Sequence, residues 1–346
     1  MATTEEMTGG RSAREVLADA RGAVDPALRA AVDTLPESSR RIAAYHFGWR
    51  DEHGAPARAD AGKAIRPALA LLAAEAVGGT AERAVPAAVA VELVHNFSLL
   101  HDDVMDGDTT RRHRPTAWSV FGVGGAILVG DALLALAFDV VAASGHPAAH
   151  DGARRLSEAV QRLVDGQSAD IAFEDRAEVG MAECRRMAEA KTGALLGCAC
   201  ALGASFGGGD AAQVAHLRAF GERLGLAFQI ADDLLGIWGD PAATGKPVHS
   251  DLRNRKKSLP VAAALAAGTP PARELAELYR SGTELTGGEP ARAAELVELA
   301  GGRAWAETQA DLLLADALAE LRAAGPPPGP EAELGGLARL ATRRDH

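Results

Sequence analysis

Asp102, Asp103 and Asp106 stand at i, i+1 and i+4 in the stretch Val91–Arg112, after an apolar run of helical spacing. On an α-helix, Asp102 and Asp106 share a face with Cβ atoms about 5–6 Å apart. Two like charges at that spacing destabilise a helix unless a cation lies between them. Arg111 and Arg112 follow shortly after. Paired carboxylates beside paired arginines are what Mg²⁺ with a phosphorylated substrate requires, since Mg²⁺ takes oxygen ligands and arginine grips phosphate as a fork.

A second acidic helix end stands at Asp232 and Asp233, within FQIADDLLGIWGD, and bases follow it at Lys246, Arg253, Arg255, Lys256 and Lys257. Negative charge at a helix C-terminus opposes the helix dipole, so two such clusters are unfavourable twice without a cation. Two acidic ends, each with its own basic loop, predict a cavity with carboxylates on opposing walls.

The elements that must carry these groups read as helices throughout. Of the 346 residues, 47% are hydrophobic and only 4% aromatic, which suits a helical core built from Ala, Leu and Val. Helical patterns run over 13–35, 37–49, 84–106, 120–144 (one helix or two), 150–170, 181–202 and 211–238, with loops at 51–62, 107–116 and 239–257. The C-terminal third is helical, punctuated by prolines and without evident chemistry. Residues 1–13 read as a disordered tail and 14–346 as one all-α domain, a helical bundle around a central cavity, with no internal repeat.

The net charge of −11 argues against nucleic-acid binding, which needs a basic face. Cys184, Cys198 and Cys200 lack metal-type spacing and cannot frame a chain of this size, so they read as reduced packing residues of a cytoplasmic protein. The longest apolar run, Ala117–Val141, is interrupted by Gly122, Gly124, Gly125, Gly130 and Asp131. It is read as a buried helix pair, not a membrane span.

HDDVMDGDTTRRHRPT, with GKAIRP upstream and FQIADDLLGIWGD…GKPVHSDLRNRKKSLP downstream, resembles the trans-isoprenyl diphosphate synthases of the polyprenyl synthetase family. The resemblance spans about Gly62 to Pro260, with the motifs in the family's order. It implies an isoprenoid synthase-like fold, Mg²⁺ as cofactor and a homodimer. By resemblance, Asp102 and Asp106 bind metal with Asp103 in support, and Asp232 and Asp233 bind the remaining metal. Arg111, Lys191, Thr192, Gln229, Lys246 and Lys256 match positions around an allylic diphosphate. Lys63, Arg66, His95 and Arg112 match a metal-free pocket for isopentenyl diphosphate. Arg111, Lys191 and Lys246 join Asp102, Asp106 and Asp232 as the residues expected to drive catalysis, while Arg255 and Lys257 read as solvated neighbours of Lys256. His101 and Asp108 read as local partners.

The implied reaction is ionisation, condensation and elimination, with cations drawing diphosphate from the allylic carbon. Phe97 and Ser98, five and four positions before Asp102, match the residues that measure product length. A large ring followed by a small residue resembles synthases stopping near C20, so geranylgeranyl diphosphate is the expected main product and farnesyl diphosphate the next. A terpene cyclase-like enzyme would have no need of the second-diphosphate set, and a non-catalytic subunit would lack an acidic motif. One departure stands out. Where the family's second motif ends in aspartate this chain has Gly236; either Asp240, two turns beyond Asp232, compensates, or the third carboxylate is dispensable.

Overall fold

The computed structural model describes residues 10–59, 62–174, 176, 178–240, 248–280 and 284–342. Of the described residues 77% are helical, and among them the only strands form one short hairpin. The helices are α1 (Ala13–Asp33), α2 (Glu37–His46), α3 (Ile65–Ala76), α4 (Ala81–Met105), α5 (Ala117–Ala143), α6 (Ala149–Glu174) and α7 (Met181–Ala188). They continue with α8 (Ala194–Gly207), α9 (Ala211–Trp238), α10 (Ser250–Arg253), α11 (Leu259–Ala266), α12 (Pro270–Arg280), α13 (Glu289–Leu299), α14 (Gly302–Ala323) and α15 (Pro328–Thr342).

Chain contacts divide into two compact units. The first comprises Met1–Glu158, Cys198–Arg218 and Leu321–Leu337, and the second Ala159–Gly197, Ala219–Glu320 and Ala338–His346. In the first unit α4 packs between α3 and α5. Alanines make this possible: Ala68, Ala70, Ala73 and Ala74 of α3 and Ala84, Ala87, Ala88 and Ala90 of α4 are fully buried. Small side chains let backbones approach where leucines would hold them apart. Gly207 of α8 shows the limit, since a Cβ there would lie 2.7 Å from the Ala74 Cα.

Residues 1–9 of the expected tail lie outside the described residues. From there the chain is anchored: the Arg11 guanidinium donates to both Glu333 oxygens, at 3.0 and 2.8 Å. Ser12 and Glu15 form a capping box that starts α1.

Three expectations change. The loop at 107–116 contains a hairpin, Thr110–Arg111 paired antiparallel with Arg114–Pro115. Its two turn residues, Arg112 and His113, have φ of 51° and 61°, the pattern of a type I′ turn, which matches the twist of paired strands. The apolar run expected as a buried helix pair is α5, whose backbone breaks at Gly122 (φ 81°). Ala126, Val129, Leu133, Ala137 and Val141 bury one side, while Val123 and Leu128 are 50% and 68% exposed on the other. Both α4 and α5 are long and apolar enough to cross a membrane by length and composition. Finally, the helix expected over 181–202 is interrupted by a π-helical turn, Glu189–Gly193, which links α7 to α8. Such single π turns gather at functional sites, and this one carries Lys191 and Thr192.

In the second unit that π turn is held against α9 through facing glycines. A Cβ on Gly225 would lie 2.6 Å from the Gly193 Cα, and one on Gly221 would lie 2.8 Å from the Gly197 Cα. These contacts are backbone on backbone, so no side-chain rotation relieves an added methyl. Gly225→Ala is expected to destabilise the protein by about 1–3 kcal/mol, an overpacking cost. Urea unfolding measures this, and an unchanged midpoint would show that the seam has slack.

Candidate active site

In the first unit, α4 ends at Met105 and Asp106 is its C-cap, its N–H donating to the Asp102 carbonyl at 2.8 Å. Asp102 and Asp106 therefore stay one helical turn apart, as the spacing predicts, with Asp106 exposed. Asp103, expected to support metal binding, is buried and accepts from Arg111 Nε at 2.6 Å. Burial pushes the Asp103 carboxyl up, more than the neighbouring Arg111 pulls it down. Here Asp103 is the anchor of Arg111.

The hairpin explains how adjacent arginines separate. Arg111 lies on its first strand and Arg112 in its turn. Arg112 lays its guanidinium against Gly62, where a Cβ would be only 2.8 Å from Arg112 Cζ. Tyr45 of α2 fixes the far strand: its hydroxyl donates to the Pro115 carbonyl at 2.8 Å, and Arg114 lies 4.5 Å over its ring. Thr116 and Trp118 close the hairpin's base by donating to the Asp108 carbonyl at 2.9 and 2.8 Å.

Gly62 precedes Lys63, and Ala64 follows in the left-handed region (φ 53°) to start α3. Arg66, in the first turn of α3, sits 3.2 Å from His95 Nε2. The sequence-predicted residues Lys63, Arg66, His95 and Arg112 thus come from three connected elements of one unit. Burial, reinforced by Arg66 and Arg112, holds the His95 imidazole well below its ordinary range, so it is neutral at pH 7. Behind it, His46 Nε2 lies 3.1 Å from Asn96 Oδ1, and Asn96 donates to Glu92 at 3.0 Å. Burial, with Arg111 and Arg112 adding to it, lowers His46 to about 3. Sequence reasoning missed this support: Glu92 and Asn96 sit in an apolar helix among better-marked neighbours.

In the second unit, Thr192 Oγ1 donates to Gln229 Oε1 at 2.7 Å, and Gln229 Nε2 donates to Asp233 Oδ1 at 2.8 Å. The other Asp233 oxygen accepts from the Leu259 N–H at 2.9 Å, at the start of α11. Asp233 is 4% exposed, and burial pushes its carboxyl up to about 7 despite Lys256 nearby. Of the second acidic pair, Asp233 ties α9 to α11, and Asp232 is the more accessible partner.

Lys191 Nζ lies 2.6 Å from Asp170 Oδ2. Burial pushes the Asp170 carboxyl up, but Lys191 and Lys256 outweigh it and hold it below the usual range. Asp170 was not singled out from sequence. Its signal is Gly166, one turn earlier: a Cβ there would lie 2.8 Å from the Lys191 Cα, so the glycine admits the π turn beside α6.

Two neighbours of Lys256 depart from expectation. Lys257 is buried and donates to the Glu174 carbonyl at 3.2 Å, and Arg255 donates to the Tyr279 carbonyl at 2.8 Å. Neither is a solvated neighbour; both fasten the Lys256 loop. Lys246 lies outside the described residues. Phe97 is buried, its ring 4.7 Å edge-on from His101, and Ser98 Oγ donates to the His95 carbonyl at 2.8 Å. His101 is a local partner, 3.1 Å from the Ile127 carbonyl.

The Polyprenyl synthetase family model matches residues 56–296. A "(2E,6E)-farnesyl diphosphate synthase" of Mycobacterium bovis is 46% identical over 332 residues, covering 95% of this chain and 92% of that protein. A "Geranylgeranyl diphosphate synthase" of Mycobacterium tuberculosis is also 46% identical, covering 96% and 94%. A crystal structure of a polyprenyl synthetase from Streptomyces coelicolor superposes with a TM-score of 0.91 at 50% identity, covering 95% of this chain and 99% of that one. The motifs, the all-helical fold and the extent of these matches agree: the chain belongs to the polyprenyl synthetase family.

Proposed function

We propose that this prenyltransferase joins isopentenyl diphosphate to an allylic diphosphate and releases mainly geranylgeranyl diphosphate. The observation that carries the reading is the division of its cations. Arg66 and Arg112 gather around the neutral His95, with the single carboxyl of Glu92 beside them, which suits a diphosphate that stays on its carbon. Lys191 and Lys256 stand with Asp170 near the second acidic end, which suits one that leaves. A cyclase would have no need of the first set.

The donor sets fit Mg²⁺. Asp102 and Asp106 offer carboxylate oxygens one turn apart, and Asp232 offers another. Among the described residues no three His, Cys, Asp or Glu side chains converge as a cage; Mg²⁺ is usually held by one or two carboxylates together with substrate phosphates. When bound, Mg²⁺ supplies positive charge to the diphosphate as it departs.

Arg111, Lys191, Lys256 and Lys246 bind the allylic diphosphate oxygens and stabilise the charge that grows on them as the carbon–oxygen bond breaks. Asp103 orients Arg111, and Asp170 orients Lys191. Lys63, Arg66 and Arg112 hold isopentenyl diphosphate, and the neutral His95 donates to it without adding a fourth repelling charge. The isopentenyl double bond attacks the allylic cation, and the proton lost from C2 passes to the released diphosphate.

Phe97 and Ser98 set product length in this reading. The two relatives of equal identity carry different product names, so farnesyl diphosphate is the second reading. We further propose a cytoplasmic homodimer. Three buried thiols, Cys184, Cys198 and Cys200, stand unpaired, as in a reducing compartment, and the uncovered apolar side of α5 suits a second copy of the chain.

With Mg²⁺, isopentenyl diphosphate and dimethylallyl, geranyl or farnesyl diphosphate, chromatography is expected to show a C20 product, and EDTA is expected to abolish it. No elongation from any primer overturns the reading. Asp102→Asn is expected to lower kcat by about 100-fold or more, as when a charge-stabilising group is lost. Phe97→Ala should lengthen the product; unchanged length removes Phe97 as the floor. Leu128→Glu should shift the sedimentation coefficient from dimer to monomer, and a monomeric wild type would reject that part.

A further inference from the structure

The two acidic helix ends of this chain are not equal. The first carries carboxylates at i, i+1 and i+4, as Asp102, Asp103 and Asp106. The second carries them at i and i+1, as Asp232 and Asp233, and has glycine at i+4, Gly236. Position 236 shares a helical face with Asp232, one turn further on.

That glycine is not empty space. A Cβ on Gly236 would lie 2.5 Å from Asp251 Cγ and 2.9 Å from Oδ1, with Oδ2 nearer still. The Asp251 carboxylate therefore fills the volume that a side chain at 236 would occupy. Asp251 belongs to α10, which His249 enters with a φ of 62°. The segment is pinned on its other side, where the Lys256 N–H donates to the Asp251 carbonyl at 2.8 Å. Asp240, the alternative candidate, follows the end of α9 and is exposed.

We propose that Asp251 is the third carboxylate of the second acidic end, delivered from α10 through the gap at Gly236, and that it binds Mg²⁺ together with Asp232. Asp233 is committed to Gln229 and Leu259, so the working pair at this end is Asp232 with Asp251. The glycine is then a requirement of the site: an aspartate at 236 would compete with Asp251 for one place. The inference rests on the Mg²⁺–diphosphate reading above and adds a residue to it.

The test uses inorganic pyrophosphate as the probe and the full chain throughout. The rise in Tm caused by pyrophosphate is followed against Mg²⁺ concentration. In the wild type the rise depends on Mg²⁺, and Asp232→Asn moves its Mg²⁺ midpoint upward. Asp251→Asn, close in shape, is expected to move the midpoint up by about ten-fold or more, the scale on which metal-site partners act. Asp240→Ala is expected to leave it in place. Gly236→Asp alone should weaken Mg²⁺ dependence, and Gly236→Asp combined with Asp251→Gly should recover it by returning the carboxylate to α9. An unmoved midpoint in Asp251→Asn, with Asp232→Asn impaired, overturns this inference and leaves the enzyme reading standing. So does a folded double variant that stays impaired; if it fails to fold, Asp251→Asn decides. A wild type with no Mg²⁺-dependent rise overturns the reading beneath it.

Discussion

Positive groups that must meet a diphosphate have to be gathered before it arrives, and they repel one another until it does. Four of the cations proposed for this role have separate supports. Arg111 leans on the buried Asp103 and Lys191 on the half-buried Asp170. Arg112 rests along Gly62 and Arg66 beside His95. Burial keeps His95 and His46 uncharged among the arginines, so neither adds to the crowding of guanidiniums. Breaking one support leaves a charge without its partner in a partly dry place, which is costlier than the pair is worth.

Contact between backbones is what brings those supports within reach. Gly166 and Gly193 let the π turn lie against α6 and α9, and the Lys191–Asp170 and Thr192–Gln229 bonds follow from it. Glycine acts at these places by being small, while at the hairpin the chain bends through residues that are not glycine at all.

Much of this was legible in the sequence because charge is scarce in an apolar helix. Asp102, Asp106, His95 and Lys191 each interrupt a hydrophobic pattern, and an interruption is readable without coordinates. Most helix boundaries followed from the same periodicity, while the π turn that divides 181–202 did not. What the sequence hid were relations across space. Asp103 looks identical to Asp102 in one dimension, yet its face of α4 is the buried one. Asp170 belongs to an amphipathic helix whose polar residues are numerous, so it could not be named as the partner of Lys191. The hairpin was invisible because Arg-His is a poor turn signal; Tyr45, Thr116 and Trp118 fasten that turn against propensity.

Among the described residues, the non-glycine positions with positive φ are Ala64, Arg112, His113, His249 and Arg255. Each lies within two residues of a group assigned to diphosphate or metal. Such conformations cost about 1–3 kcal/mol apiece for ordinary side chains. A library sorted for heat resistance would therefore be drawn to these same loops, accepting asparagine or glycine there. At Arg112 the winner would be a sturdier protein without the guanidinium that the proposed function sets on isopentenyl diphosphate. Thermal ranking and turnover should part company at these positions first, and they mark where stabilising campaigns on this chain must be blind to Tm.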